Sequence, residues 1–199
     1  MQVEFFSELD ERADRLEIPW ASPDDPRNLY YDLKTRPELL SEVVEARDNL
    51  ALRQFLAVVN APETMFATAK CHTWLTEEFS PAERDSFPSS SIKFAAYVDL
   101  VFSLPAFNFR REHYDRLCAQ LERRLAPVPA AARLELCLRH CYYHAQQAWG
   151  FYLTAFLYGY GASADEARHN WSAALKTLGD TLAHLSKLLR QALAQASPP

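Results

Sequence analysis

Apolar residues recur along most of the chain at three- and four-residue intervals, the spacing that places side chains on one face of an α-helix. Residues 107–125 illustrate the pattern, with Tyr114, Leu117, Leu121 and Leu125 on a single stripe. On this basis the sequence predicts helices over residues 3–17, 36–59, 61–79, 92–104, 107–125 and 130–158, and a last helix of about thirty residues after Ser163.

Prolines and capping boxes divide these segments. A capping box places a Ser, Thr or Asn oxygen on the free N–H groups of a first helical turn, and a Glu three residues later reaches back. The sequence contains four such signals, at Thr35/Glu38, Asn60/Glu63, Ser80/Glu83 and Ser163/Glu166. Three prolines predict a surface connection over residues 18–34, and a frayed tail is expected at residues 196–199. Residues 92–104 are rich enough in Ile, Val and aromatic residues for a strand, but their length favours a helix.

The segment after Ser163 carries Leu175, Leu182 and Leu189 at a seven-residue spacing, which is typical of a helix that packs along another helix. The chain has only 4 glycines in 199 residues, which argues against hairpin-rich and glycine-loop folds. These patterns predict an all-α fold with a single domain over residues 1–199. We expect a helical bundle of about six to eight helices, with a long C-terminal helix.

Composition narrows the classes of function. The chain has 21 Lys and Arg against 26 Asp and Glu, and this net charge of −5 argues against a nucleic-acid partner. The N-terminal residues lack the basic start and apolar stretch of a secretory signal, so we expect a cytoplasmic protein with reduced cysteines. Residues 141–164 carry no charge. We interpret this run as the buried central helix rather than a membrane span, because histidine and glutamine lie at one end and glycines at the other.

A cluster of cysteine and histidine residues provides the strongest metal-site pattern. On a helix, Cys137, His140, Cys141 and His144 would face the same way, and two histidines four residues apart can share one metal ion. A second helix would have to complete the site. Candidates for that role are Glu45, Glu63, His72 and His184. Close packing of small side chains in a core explains the same pattern without a metal.

No known family motif is complete in the chain. The two histidines match half of the hemerythrin pattern, and the cysteine spacing is out of register with alkylhydroperoxidase-like proteins. Ferritin-like carboxylate sites need two E-x-x-H pairs, whereas the sequence offers one, Glu166–His169. A looser resemblance is to the haem-oxygenase-like diiron oxidases, whose ligands are scattered over three helices. That resemblance implies iron bound by His140, His144, Asp180 and His184, together with one upstream Glu.

A lone carboxylate and an excess of aromatic side chains complete the candidates. Asp99 lies in a nearly all-apolar segment, where a buried acid needs a partner such as Arg139. Tyr143, Trp149 and Tyr152 belong to an aromatic stretch that covers every face of the predicted central helix. Some of these rings must therefore meet solvent, a ligand or a partner. These five residues form the predicted partner or ligand surface.

From these features we expect a soluble accessory or binding protein, such as an adaptor or chaperone-like subunit. It would use its aromatic surface to bind a protein partner or a second copy of itself, and it would need no cofactor. The alternative is the metal-dependent oxidase with iron at His140 and His144. A weaker alternative is a carrier of haem or another apolar small molecule. The sequence does not decide whether the chain is an enzyme, because it contains no complete catalytic motif.

Overall fold

The computed structural model describes residues 1–10, 13–22 and 29–196, and it has an α/β fold instead of the predicted all-α bundle. Its strands are β1 (Gln2–Glu8), β2 (Leu16–Ile18), β3 (Phe66–Thr76), β4 (Ile92–Phe102), β5 (Ala132–Tyr143) and β6 (Ala148–Gly161). Its helices are α1 (Val44–Arg47), α2 (Leu50–Val59), α3 (Pro81–Ser86), α4 (Pro105–Asn108), α5 (Arg111–Leu125) and α6 (Ala164–Ala196). A short 3₁₀ helix spans Pro37–Glu42.

The strands form one mixed sheet in the order β1–β5–β6–β4–β3. β1 and β2 both run parallel to β5 and pair with successive parts of it, whereas the pairs β5–β6, β6–β4 and β4–β3 are antiparallel. The register between β3 and β4 shifts between Thr68 and Cys71, so that Ala69 and Lys70 lie opposite Asp99 alone. This β-bulge breaks the regular alternation at one edge of the sheet.

The main core lies between the sheet and the helices α2, α5 and α6. Alternate residues of β5, for example Leu134, Leu136 and Leu138, are fully buried on this face. α6 crosses it with the predicted leucine stripe, and Leu175 and Leu182 are at most 1% exposed. The seven-residue spacing therefore serves packing within the chain.

Three predicted helices are confirmed. α5 and α6 occupy the predicted segments, and the short α3 begins with the predicted capping box between Ser80 and Glu83. The long helix predicted over residues 36–59 is instead divided into the 3₁₀ helix, α1 and α2, with Asn49 capping α2.

The helices predicted over residues 3–17, 61–79, 92–104 and 130–158 are wrong, because all four segments contain β-strands. In β5, apolar and polar residues alternate from Ala132 to Arg139 except at Cys137, and this alternation is the two-residue period of a strand. β4 and β6 are buried on both faces over much of their length. Periodicity alone does not distinguish such a strand from a buried helix.

The uncharged run of residues 141–164 is also not a helix, since it contains the end of β5, a turn and β6. No helix in the described part of the chain is long and apolar enough to cross a bilayer. Within the predicted surface connection, Trp20 and Tyr30 share a backbone hydrogen bond of 2.8 Å. Residues 23–28 of that connection, and residues 197–199 of the predicted frayed tail, lie outside the described residues.

Candidate functional site

The second face of the sheet carries charged and aromatic side chains, whereas the face under the helices carries mainly Leu, Ala and Phe. Cross-strand pairing arranges these side chains in rows that run across the sheet, because directly opposed residues point to the same face. One row consists of Glu4, Glu135, Phe156, Tyr97 and His72. The rows on either side of it are Gln2, Arg133, Tyr158, Ala95 and Trp74, and Phe6, Cys137, Thr154 and Asp99.

Two other segments lie against the ends of this second face and leave its middle open. At one end, Trp20 and Tyr30 pack against a small buried cluster that includes Tyr152. At the other end, Phe87 stacks on Tyr160 with 3.8 Å between ring centroids. We call the middle the open strip. Its members are Trp74, Tyr97, Phe156 and Tyr158, which are partly exposed, and His72, which is exposed.

The rings of the open strip contact one another across three strands. His72 stacks on Trp74 with centroids 6.1 Å apart and lies 6.3 Å from Tyr97. Tyr97 in turn lies 6.1 Å from Phe156, and the Arg139 guanidinium sits 5.4 Å from the Phe156 centroid. The strip is therefore a continuous aromatic surface on a rigid sheet.

Asp99 lies beneath the edge of the open strip and is only 4% exposed. The Thr154 hydroxyl donates a 2.7 Å hydrogen bond to Asp99 Oδ1, and Oδ2 accepts none from the described residues. Burial raises the pKa of Asp99 to about 7, although Thr154, Arg139 and Lys70 act in the opposite direction. This carboxyl group therefore changes its charge near neutral pH.

Arg139 connects Asp99 to the edge of the sheet. Its Nε and Nη2 donate to Glu8 Oε2 at 2.8 and 2.6 Å, and its Nη1 lies 3.5 Å from the Thr154 hydroxyl. The chain Glu8–Arg139–Thr154–Asp99 therefore spans β1, β5, β6 and β4. Asp99 and Arg139 do not form the predicted direct pair, because the Thr154 hydroxyl lies between them.

Acidic groups act on the Tyr97 hydroxyl. Burial first, and then the charges of Asp99, Glu45 and Asp14, raise the pKa of this hydroxyl to about 12. A positively charged group is therefore the favoured neighbour for this hydroxyl.

A second buried ion pair fastens α3 to the far end of the same face. Lys93 Nζ lies 2.6 Å from Glu83 Oε1, and the Tyr160 hydroxyl donates to the same oxygen at 2.7 Å. Burial alone would raise the pKa of Glu83, but hydrogen bonds from Lys93, Ser80 and Tyr160 outweigh it and lower the pKa to about 2. The charged and hydroxyl groups of this cluster bind one another, so we regard the cluster as structural.

The remaining predicted surface residues do not form one patch. Tyr143 is buried and donates to the Phe151 carbonyl at 2.6 Å. Tyr152 is also buried, beside Arg139 and Asp99. Trp149 is 50% exposed, at the turn end of β6, with Arg15 above its ring. Tyr143 and Tyr152 belong to the same small buried cluster, and Trp149 lies apart from them at the turn.

The predicted metal ligands are not brought together. Along an extended strand, residues four apart are separated by about 13 Å, too far for His140 and His144 to share an ion. His140 stacks on Phe151, and His144 lies 3.0 Å from Glu17. Two further candidates lie on α6, where Asp180 pairs with Lys176 and His184 is exposed. Two others, Glu45 and His72, lie 3.7 Å apart, away from His140 and His144. Among the described residues, no group of three or more His, Cys, Asp and Glu side chains could hold a metal ion.

The four cysteines are all unpaired thiols. Burial raises the pKa of Cys71 and Cys141 to about 12 and that of Cys137 to about 11, and it also raises the pKa of Cys118. These thiols remain protonated at neutral pH and are poor nucleophiles.

The sequence interpretation did not identify Glu8, Thr154 and Tyr97 as site residues. The available signal was the alternation in β5, which sets Arg133, Glu135 and Arg139 on the face opposite to the leucines. The partners of these residues come from strands distant in sequence. No family model matches the chain, and no curated protein or solved structure matches it either.

Proposed function

We propose that this chain is an accessory or adaptor protein that binds a protein partner through the open strip. The observation that supports this function is the continuous row of partly exposed rings over three strands. Tyr, Trp and Phe are enriched in the centres of protein interfaces, because they bury a large area with few rotatable bonds. A sheet held by internal ion pairs gives such rings fixed positions, which lowers the entropy lost on binding.

The charged groups around the strip favour a binding role. Arg139 is engaged with Glu8, and Arg133 lies 2.8 Å from Glu4 and 2.9 Å from Glu135. These pairs fix the shape of the surface, and the charges of acidic groups act on the Tyr97 hydroxyl. We therefore expect the partner to place an apolar surface on the rings and a basic side chain near Tyr97. The unpaired thiols fit a reducing compartment, which is consistent with the cytoplasm.

Site-specific photo-crosslinking in cells tests the proposal. A benzophenone amino acid replaces Tyr97 in the full chain, and the control carries it in place of Trp149, an exposed aromatic residue outside the strip. The expected result is a discrete adduct with another protein from position 97 that is absent from position 149. The adduct should also be lost when Trp74→Ala is added.

Two outcomes would contradict the adaptor function. Equal adducts from both positions would mean that the strip has no special affinity. An adduct made of two copies of this chain would indicate that the strip forms a homodimer rather than an adaptor surface. Circular dichroism of each variant establishes that it is folded.

A further inference from the structure

A cleft of about 610 Å³ lies beside the open strip, at the edge of β3. Trp20, Leu29, Tyr31 and Leu33 line it together with residues of α1 and of the first half of β3. Its walls include Leu33, Val43, Val44 and Leu56. Its volume lies within the range of about 300–1,000 Å³ that is usual for small-molecule sites. Its walls combine these apolar residues with the polar side chains of Glu42, Glu45, Arg47, Thr68 and Lys70.

Lys70 places a positive charge in the cleft, which would favour a negatively charged ligand. It belongs to the β-bulge and lines the cleft. Its ammonium group lies 4.6 Å from the centroid of the Trp20 ring, and no carboxylate of the described residues lies within 4.0 Å of it. By contrast, Lys34 Nζ donates to three backbone carbonyls and a hydroxyl, and Lys93 is paired with Glu83.

The other charged side chains of the cleft are directed at neighbours other than Lys70. Glu42 lies 3.6 Å from Arg47, and Glu45 lies 3.7 Å from His72 Nδ1. Asp99 is close enough for the Lys70 charge to lower its pKa, but the two groups form no ion pair. Within the described part of the chain, the Lys70 ammonium group therefore forms no ion pair, and it lies beside the Trp20 ring in the cleft.

We propose that this cleft binds an amphipathic monocarboxylate, a molecule with one carboxylate and an apolar body. The carboxylate would lie at the Lys70 ammonium group, beside the Trp20 ring. The apolar body would cover Val43, Val44 and Leu56. A charge-assisted hydrogen bond in a partly desolvated cleft favours this anion over neutral or cationic molecules of the same length. This site is distinct from the open strip, although Glu45 in its wall lies 3.7 Å from His72 of the strip.

Isothermal titration calorimetry with decanoate tests the charge requirement. The full chain should bind decanoate, whereas decan-1-ol and decyltrimethylammonium should bind at least about tenfold more weakly. Lys70→Met keeps an unbranched side chain against Trp20 and should also lose about tenfold or more in affinity. The matched control is Lys187→Met, the same change on an exposed residue of α6 that does not line the cleft. No decanoate binding, or equal binding by the Lys70 variant, would overturn the proposal.

A second pair of variants tests the apolar wall and does not depend on Lys70. Val44 lines the cleft and is 64% exposed, so Val44→Asp should fold normally while placing a negative charge on the wall. Leu50→Asp is the control, because Leu50 is 68% exposed and does not line the cleft. We expect only Val44→Asp to weaken decanoate binding. Equal weakening of decanoate binding by both variants would indicate a general effect of the added charge and would contradict the assigned site. Unfolding curves verify that each variant is folded.

Discussion

The two faces of the sheet are built from alternate residues of the same strands, yet they are held together differently. In β5, Leu134, Leu136 and Leu138 are fully buried under the helices, whereas Arg133 and Arg139 on the opposite face form ion pairs with β1. Close packing tolerates little change in volume, while a partly exposed polar network tolerates changes at a smaller cost. We therefore expect substitutions on the first, helix-covered face to change the free energy of unfolding most. Substitutions on the second face should change mainly the pH dependence of this free energy and the binding of a partner.

The helix-covered face provides the largest expected effect. A Cβ added at Gly159 would lie 2.3 Å from the Trp171 backbone nitrogen and 2.5 Å from the Ala167 carbonyl oxygen, both in α6. Because backbone atoms cannot move aside as a side chain can, Gly159→Val should lower the free energy of unfolding by more than about 4 kcal/mol or prevent folding. Urea denaturation measures the change.

The matched control for that substitution is Gly179→Ala, on the same core face. Its added Cβ would lie 3.2 Å from a Phe55 ring carbon, and Ala is favoured over Gly in a helix by about 1 kcal/mol. We expect a net change below about 1 kcal/mol. If Gly159→Val were as mild as this control, the first face would not be close-packed.

The next largest change in stability is expected at Asp99, on the second face of the sheet. Its pKa is raised from 3.8 to about 7, so the folded chain holds a proton that the unfolded chain has released. Wild-type stability should therefore fall as pH rises from about 4 to 7 through this group. The unfolding free energy of Asp99→Asn, relative to wild type, should rise by an amount on the order of 4 kcal/mol over this range. Urea denaturation between pH 5 and 8 measures most of it.

The control for this pH dependence is Asp85→Asn, the same chemical change on an exposed residue of α3. The pH dependence that Asp99 contributes should remain in this variant. A pH-independent result for Asp99→Asn would mean that the second face does not hold a buried neutral acid.

Glu83 should show the opposite dependence on pH. Its pKa is lowered to about 2, so its stabilisation is present above the unfolded value near 4.5 and is lost as pH falls toward 2. Glu83→Gln should therefore cost roughly 3 kcal/mol at pH 7, and the difference from wild type should narrow below pH 4.5. Urea denaturation at pH 7 and 3.5 tests this, with the exposed Glu78→Gln as control. If the difference in unfolding free energy between Glu83→Gln and wild type widened at pH 3.5, the lowered pKa of Glu83 would be contradicted.

The contrast between the faces also explains what the sequence could predict. Local signals were sufficient for α5 and α6, because one apolar stripe and a cap define such helices. They were insufficient for β4 and β6, where both faces are buried and no alternation remains. In β5 the alternation was present, but the spacing of Cys137, His140, Cys141 and His144 suggested a helix as well. Asp99 and Arg139 were identified because a charge in an apolar segment needs a partner, whereas Glu8 was not, because its pairing depends on the sheet order.

That sheet order has a consequence for the way the chain is made. β1 pairs with β5, and the ion pair between Glu4 and Arg133 joins residues 129 positions apart. During synthesis β1 therefore emerges long before its only strand partner in the described structure. Contacts of such large sequence separation slow folding, because a long loop must close before they form. Until then, the side chains of Phe5 and Phe6 belong to an unpaired strand, and a ribosome-bound nascent chain would have to keep that strand from pairing elsewhere.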